Sequence, residues 1–201
     1  MEDQSALPEK KDPFAALRYR EFRSYVGMRF FFTFAYQMQA VIIGFHIYHL
    51  TNDPLALAFI GLSEAIPAIG IALYGGYVAD KTEKRGLLLK IFSGVFLCSV
   101  IMLVVTSKQM HSYVPTSSIV PIMYGMIFCI GLARGFFGPA TFSLMAQILP
   151  KELYPNASTW SSSSWQMASI AGPAIGGLIY GFYGITTTYI VIISFIFLAL
   201  V

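Results

Sequence analysis

The sequence predicts an all-α membrane protein, and three observations lead to that fold class. Of its 201 residues, 56% are hydrophobic and only 11% are charged, whereas a soluble globular domain carries about 25% charged residues. The apolar residues form runs of the length that a bilayer-spanning helix needs, about 20 residues. The basic residues gather in alternate loops. A soluble chain of this size buries only about 70% of its surface, so soluble enzymes, nucleic-acid binders and disordered linkers are excluded.

Six apolar runs predict the helices in chain order. Five runs are complete, at residues 25–50, 56–78, 87–106, 119–149 and 158–182. A sixth begins near Thr187 and is still apolar at Val201. We therefore expect the chain to be the N-terminal part of a longer protein, with its last helix truncated.

The first 23 residues predict a cytoplasmic segment, and residues 24–201 predict a six-helix unit. The segment mixes both charge signs and lacks the short apolar core of a cleavable signal peptide. Phe14, Leu17 and Phe22 stand among arginines, a pattern that predicts an amphipathic lead-in on the membrane surface.

The distribution of Lys and Arg predicts the orientation of the chain. If the N-terminus is cytoplasmic, the loops on the other side hold only Lys108. The cytoplasmic segments then hold the ten residues Lys10, Lys11, Arg18, Arg20, Arg23, Lys81, Lys84, Arg85, Lys90 and Lys151. Short cytoplasmic loops are enriched in Lys and Arg. The sequence therefore predicts a multi-pass protein with a cytoplasmic N-terminus.

An internal repeat relates the second run to the fifth. Pro-Ala-Ile-Gly at residues 67–70, followed by Tyr74 and Gly75, recurs at residues 173–176, followed by Tyr180 and Gly181. An offset of three helices places the two copies in opposite orientations across the bilayer. The alternative is chance, since these residue types are common in membrane helices. Read as a repeat, the pattern predicts three plus three helices in inverted topology, as in secondary transporters.

The loop after the second run carries a charged motif that resembles the loop 2–3 signature of the major facilitator superfamily, G-x-x-x-D-[RK]-x-G-[RK]-[RK]. The matching residues are Gly76, Asp80, Lys81, Lys84 and Arg85. Glu83 stands where that family often has Gly. The resemblance implies half of a twelve-helix transporter fold, with close helix approach at the glycine and a cytoplasmic clasp of charges. The alternative is an ordinary basic loop.

The fifth run resembles the G-x-x-x-G-P-x-x-G-G signature of antiporters in that superfamily. Gly172, Pro173, Gly176 and Gly177 match, and Ala168 replaces the first Gly. Small residues allow tight helix packing, and Pro inside a membrane helix introduces a kink. The segments around Gly138-Pro139-Ala140, Leu149-Pro150 and Asn156 are similar to the drug:proton antiporter branch that includes macrolide and enterobactin exporters.

Two ionisable side chains, Glu64 and Arg134, are predicted to lie deep in the membrane. At a rise of about 1.5 Å per residue, each lies roughly 20 Å from the cytoplasmic end of its helix. Intramembrane charges are costly and mark functional sites. A Glu64–Arg134 pair would lower that cost, and protonation of Glu64 would release Arg134. The alternatives are a permanent structural ion pair and placement toward lipid or water.

Helix 1 carries three further candidates, Tyr36, Gln39 and His46, which fall within about 80° on a helical wheel. The resemblance places helix 1 against a central cavity, where such a stripe would suit amphipathic substrates. Packing or anchoring at the membrane interface is the alternative. No metal-ligand cluster, catalytic triad or phosphate loop is apparent, so neither an enzyme nor a cofactor is predicted.

These observations predict a secondary active transporter of the bacterial inner membrane, working by alternating access. We expect proton-coupled efflux of a small amphipathic compound such as a drug, a macrolide or a siderophore-like molecule. Its partners would be the bilayer, the substrate, protons and a C-terminal six-helix half, but no nucleic acid. The alternative is a non-transporting six-helix scaffold or receptor module.

Overall fold

A computed structural model describes residues 12–107 and 116–200 of the chain. These residues form five α-helices and two short 3-10 helices and contain no β-strand. The α-helices are α1 (Arg20–Thr51), α2 (Pro54–Lys81), α3 (Lys84–Val105), α4 (Thr116–Ile148) and α5 (Tyr154–Leu200). The 3-10 helices are Ala16–Arg18 and Lys151–Leu153. Residues 1–11, most of the predicted outer loop with Lys108, and Val201 lie outside the described residues.

All five α-helices include a stretch that is long and apolar enough to cross a membrane. This confirms the predicted all-α membrane class. The gap that the sequence predicts between the first and second runs coincides with a tight turn. In this turn Asn52 adopts left-handed backbone angles and Asp53 is the N-cap of α2. The Asp53 carboxylate accepts a hydrogen bond of 2.9 Å from the Leu55 amide, and Pro54 occupies the first helical turn, where its missing N–H costs nothing.

The predicted fifth and sixth runs lie in one helical element, α5, which is interrupted at Gly184. This glycine has φ 78° and ψ 178°, outside the helical region, and glycine adopts a positive φ at little cost. Gly172 and Phe195, on either side of the break, both lie against Phe34 of α1. A straight helix would hold them about 34 Å apart. The chain therefore reverses direction at Gly184.

Helix α1 lies at the centre of the bundle. Of its most apolar stretch 56% is buried inside the protein, against 11% for α2. The two segments of α5 pack against α1, α2 packs against α4, and α3 contacts α4 and α5. Fully buried side chains at the centre include Met38, Phe92, Met102, Met123, Tyr189 and Ile192.

The N-terminal lead-in contacts the bundle, and its position on the membrane surface stays a prediction. Phe22 and Ala16 are completely buried, in a second apolar cluster that also contains residues of α4 and α5. Asn156 holds the segment: its side chain accepts from the Ala16 amide at 3.1 Å and donates to the Pro13 carbonyl at 2.7 Å. These partners are about 140 residues away in sequence, so the amphipathic pattern could not reveal them.

Candidate functional site

Three polar side chains from three helices meet within the membrane-spanning part of the bundle. Tyr36 of α1 and Arg134 of α4 both donate hydrogen bonds to Oε1 of Glu64 on α2. The Arg134 guanidinium also donates to the Tyr36 hydroxyl at 3.2 Å and lies 5.7 Å from the centre of its ring. We call these three residues the intramembrane triad. The structure thus brings together the two ions whose depths matched in the sequence.

Two glycines of α4 allow the triad to form, because they let α4 approach the backbone of α2. A Cβ on Gly131 would lie 2.4 Å from the carbonyl oxygen of Glu64 and 2.8 Å from the Pro67 ring. A Cβ on Gly135 would lie 2.3 Å from the side chain of Ile71. Gly-x-x-x-Gly spacing is typical of closely packed membrane helices. This approach presents Arg134, which lies between the two glycines, to Glu64.

The two charges of the triad differ in their exposure. The Glu64 side chain is 18% exposed, whereas the Arg134 side chain is 58% exposed. The carboxylate therefore depends on its protein donors for compensation, since unpaired charges away from water are strongly destabilised.

Cavities lie on both sides of the triad. The larger, of about 130 Å³, lies among α1, α3, α4 and α5. Its lining consists of Phe32, Thr33, Tyr36, Gln37, Val95, Ile130, Arg134, Phe137 and Trp165. The smaller, of about 40 Å³, is lined by Tyr36, Gln39, Ala40, Ile43, Ile60, Glu64, Ile127 and Ile130. Tyr36 borders both spaces, so a change in the triad would alter both.

The three helix 1 candidates occupy different surroundings. Tyr36 belongs to the triad, and Gln39 is buried beside the smaller cavity, where its amide lies 2.8 Å from the Ser99 hydroxyl of α3. His46 lies two turns further along α1, is 7% exposed and borders neither cavity. The predicted stripe is therefore split into a triad residue, a bridge to α3 and a buried histidine.

The loop motif lies at the junction of α2 and α3. The close approach to another helix is made by Gly75, the residue before the motif glycine Gly76. A Cβ on Gly75 would lie 2.8 Å from the Gly135 carbonyl oxygen, but one on Gly76 would have no heavy atom within 4 Å. Lys81 donates to the Tyr77 hydroxyl at 2.7 Å, and Lys84 donates to the Asp80 carbonyl at 3.0 Å.

The cytoplasmic clasp that the resemblance implied is not seen in the described part of the chain. There, neither Asp80 nor the basic residues Lys81, Lys84 and Arg85 form an ion pair. The hydrogen bonds of the two lysines stay within one helical turn, because both partners lie four residues earlier.

The antiporter-like motif lies on α5, where two of its glycines contact α1. A Cβ on Gly172 would lie 3.0 Å from the Phe34 carbonyl oxygen, and one on Gly176 would lie 3.2 Å from Cβ of Met38. Gly177 has open space around it, and Pro173 lies inside the helix. Gly172 and Gly176 are therefore packing positions that hold α5 against α1.

Several residues of this site were not singled out in the sequence. Gly131 and Gly135 carried a signal, their four-residue spacing on either side of a membrane arginine. Phe137 and Trp165 of the larger cavity carried none, because aromatic residues are common throughout this chain. Ser99 is an isolated serine in an apolar run, and nothing in the sequence indicates that it contacts Gln39.

Helices of membrane-spanning length define a polytopic membrane protein, and comparison with known proteins specifies the family. A family model described as a transmembrane secretion effector matches residues 11–201. The chain belongs to this family, within the major facilitator superfamily. Membership confirms the efflux-type resemblance noted in the sequence and the expectation that the protein is not an enzyme.

Curated relatives include the multi-drug resistance efflux pump PmrA from two strains of Streptococcus pneumoniae. Each is 28% identical to the chain over 147 residues, which cover 70% of this chain and 33% of the pump. The matched region thus spans about a third of the length of these relatives. No solved structure gives a significant match.

Proposed function

We propose that the chain is the N-terminal half of a proton-coupled efflux transporter that works by alternating access. The observation that carries this proposal is the intramembrane triad, because Glu64 is an ionisable side chain at membrane depth, paired with a cation and lying beside a cavity. Family membership and similarity to a multidrug efflux pump support it. The exposed apolar faces of α2 and α5 suit contact with lipid and with a C-terminal six-helix half.

We further propose that the half has six spans arranged as an inverted repeat of three plus three. The reversal at Gly184 supports six spans, since it turns the last two runs antiparallel. The helix contacts support the repeat. Here helices 1 to 4 are α1 to α4, and helices 5 and 6 are the segments of α5 before and after Gly184. If helices 1, 2 and 3 are exchanged with helices 4, 5 and 6, the α2–α4 contact becomes the contact between α1 and the first segment of α5. The same exchange converts the α3–α4 contact into the contact of Phe195 with α1.

The lining of the larger cavity suits part of a small amphipathic substrate. Its volume of about 130 Å³ is below the roughly 300–1,000 Å³ of pockets that hold drug-sized ligands, so the C-terminal half would have to complete the site. Four aromatic rings, those of Phe32, Tyr36, Phe137 and Trp165, border it beside the polar groups of Gln37 and Arg134. Ligand sites combine apolar walls with a few polar groups that fix orientation. A drug, macrolide or siderophore-like compound has the matching mixture of apolar surface and hydrogen-bonding points.

Proton coupling would operate through competition for Arg134. While Glu64 is ionised, Arg134 is held between the carboxylate and the Tyr36 hydroxyl. Once Glu64 is protonated, the attraction falls and the guanidinium is free to move at the cavity wall. A ligand shifts a conformational equilibrium only by its differential affinity for the two states. The proton would do so by changing the contact between α2 and α4.

Efflux in everted membrane vesicles tests the proposed function. Vesicles that contain the protein at its natural length should accumulate a fluorescent amphipathic compound when their interior is made more acidic than the surrounding buffer. The accumulation should collapse on addition of a protonophore. Accumulation that persists with the protonophore would exclude proton coupling, and no accumulation for a panel of compounds would favour the scaffold or receptor alternative.

We propose that the protein lies in a bacterial inner membrane with its N-terminus in the cytoplasm, as the positions of its Lys and Arg residues indicate. In a variant that lacks Cys98 and Cys129, a cysteine at position 82 should react with a membrane-impermeant maleimide only after permeabilisation. A cysteine at position 117 should react in intact cells. Both positions flank helices of membrane-spanning length, and the reverse labelling pattern would contradict the proposed orientation.

A further inference from the structure

A large crevice separate from the triad opens at one end of the bundle. It measures about 800 Å³ and lies where α1 and α3 begin and α4 ends, beside the last described residues of α5, 198–200. Its rim carries Arg20, Glu21, Ser24 and Arg85, and none of these forms an ion pair in the described residues. The rest of the lining is apolar. Below the rim, on α1 and α3, its floor consists of Met28, Phe31, Leu88, Leu89 and Phe92, with Tyr25 and Gly27 between; Leu144, Ile148, Leu198, Ala199 and Leu200 form the wall on the side of α4 and α5.

The crevice has the depth of one bilayer leaflet. At a rise of about 1.5 Å per residue, Phe31 lies roughly 16 Å below Arg20 along α1, and Phe92 lies about 10 Å below Arg85 along α3. The hydrocarbon core of a bilayer is about 30 Å thick, so one leaflet contributes about half of that. The charged rim and the apolar floor therefore stand at the levels of a headgroup and an acyl chain.

We propose that this crevice binds one anionic phospholipid, with its phosphate between Arg20 and Arg85 and an acyl chain along Leu89 and Phe92. The rim carries two guanidinium groups and one carboxylate, a net charge of one positive unit. Arginine binds phosphate through a planar fork of donors, and basic pockets between membrane helices take lipid headgroups. A water-soluble anion would leave the apolar floor without an occupant.

The site would hold together four helices that otherwise diverge at this end. Its lining comes from α1, α3, α4 and the second segment of α5 and shares no residue with the triad or with the lining of either of its cavities, although Phe92 stacks on Phe32 of the larger cavity at 4.2 Å. The lipid assignment therefore does not rest on the proposed transport activity. Its failure would leave the coupling proposal unaffected, and loss of coupling would leave the lipid site unaffected.

Photo-crosslinking of a phosphatidylglycerol probe tests the proposal. The protein at its natural length is reconstituted in phosphatidylcholine vesicles that contain a small fraction of the probe. We expect crosslinks on α3 near Leu89. Arg20→Gln combined with Arg85→Gln should weaken labelling roughly thirtyfold, since each Lys or Arg near an anionic headgroup contributes about 1 kcal/mol and 1.4 kcal/mol is tenfold.

A matched control removes the same charge from the same end of the bundle. Arg23→Gln combined with Lys151→Gln changes two exposed residues that do not line the crevice, and labelling should be retained. Equal losses in the two double variants would overturn the proposal, because they would show attraction to surface charge in general. Labelling of a phosphatidylcholine probe at the same positions and to the same extent would also overturn it.

A third variant decides the matter if the arginine variants do not fold. Leu89→Trp fills the apolar floor and leaves every charge in place, so it should reduce labelling while the protein remains monodisperse. Unchanged labelling in Leu89→Trp, together with displacement of the probe by inorganic phosphate, would show a simple anion site and overturn the lipid assignment. Absence of crosslinks near Leu89 in the unmodified protein would show that another segment covers the crevice and would do the same.

Discussion

Replacement of Glu64 by Gln is expected to abolish proton-driven efflux while the protein remains folded. The amide keeps the shape of the carboxyl group and can still accept a hydrogen bond from Tyr36, but it cannot take up or release a proton at physiological pH. Arg134 loses its counter-charge but keeps the Tyr36 hydroxyl as a hydrogen-bond partner at 3.2 Å and borders the larger cavity, so we expect the helices to stay packed. Substrate binding should therefore survive.

Two assays separate coupling from binding in this variant. Efflux driven by a pH gradient should fall to the level of vesicles without the protein, whereas exchange of labelled for unlabelled substrate across the membrane, which needs no net proton movement, should continue. Glu152→Gln is the matched control, because Glu152 is an exposed carboxylate outside the membrane-spanning helices. Efflux by Glu64→Gln with an unchanged pH dependence would assign Glu64 to structure and place coupling elsewhere in the protein.

The depth of the triad could be predicted from the sequence, but its packing could not. Glu64 and Arg134 stand out because charges are rare in apolar runs, and the constant rise of a helix places them at matching levels. The sequence indicated Tyr36 only as a cavity candidate, because its contact with Glu64 and Arg134 depends on the rotation of α1. In a helix that is apolar on all sides, hydrophobic periodicity does not show which face meets a neighbour.

The glycines illustrate the same limit. The sequence offered Gly76 as the point of close helix approach, whereas the structure places that contact at Gly75, one residue earlier and about 100° around the helix. A motif identifies a segment, and the rotation of the helix then decides which of its small residues meets another backbone. The break at Gly184 was easier to locate, since the apolar runs on either side already left a gap at residues 183–186.

Substitution of Gly131 by Val is expected to destabilise the protein by about 3 kcal/mol, the upper part of the range for overpacking. A Cβ at this position would meet the carbonyl oxygen of Glu64 at 2.4 Å and the Pro67 ring at 2.8 Å. A backbone carbonyl in a helix cannot move aside as a flexible side chain can, so α2 and α4 must separate. Thermal unfolding in detergent and the yield of monodisperse protein measure the effect.

Gly125→Val is the matched control, because Gly125 lies on the same helix, is exposed, and a Cβ there would have no heavy atom within 4 Å. It should change the midpoint of thermal unfolding little. Comparison with Glu64→Gln then decides what holds α2 against α4. If backbone packing holds them, Gly131→Val unfolds the protein and Glu64→Gln does not, which leaves the ion pair free to change its state during transport. If Gly131→Val is as stable as Gly125→Val while Glu64→Gln unfolds, the ion pair is the structural link between these helices, and Glu64 cannot exchange protons without loss of the fold.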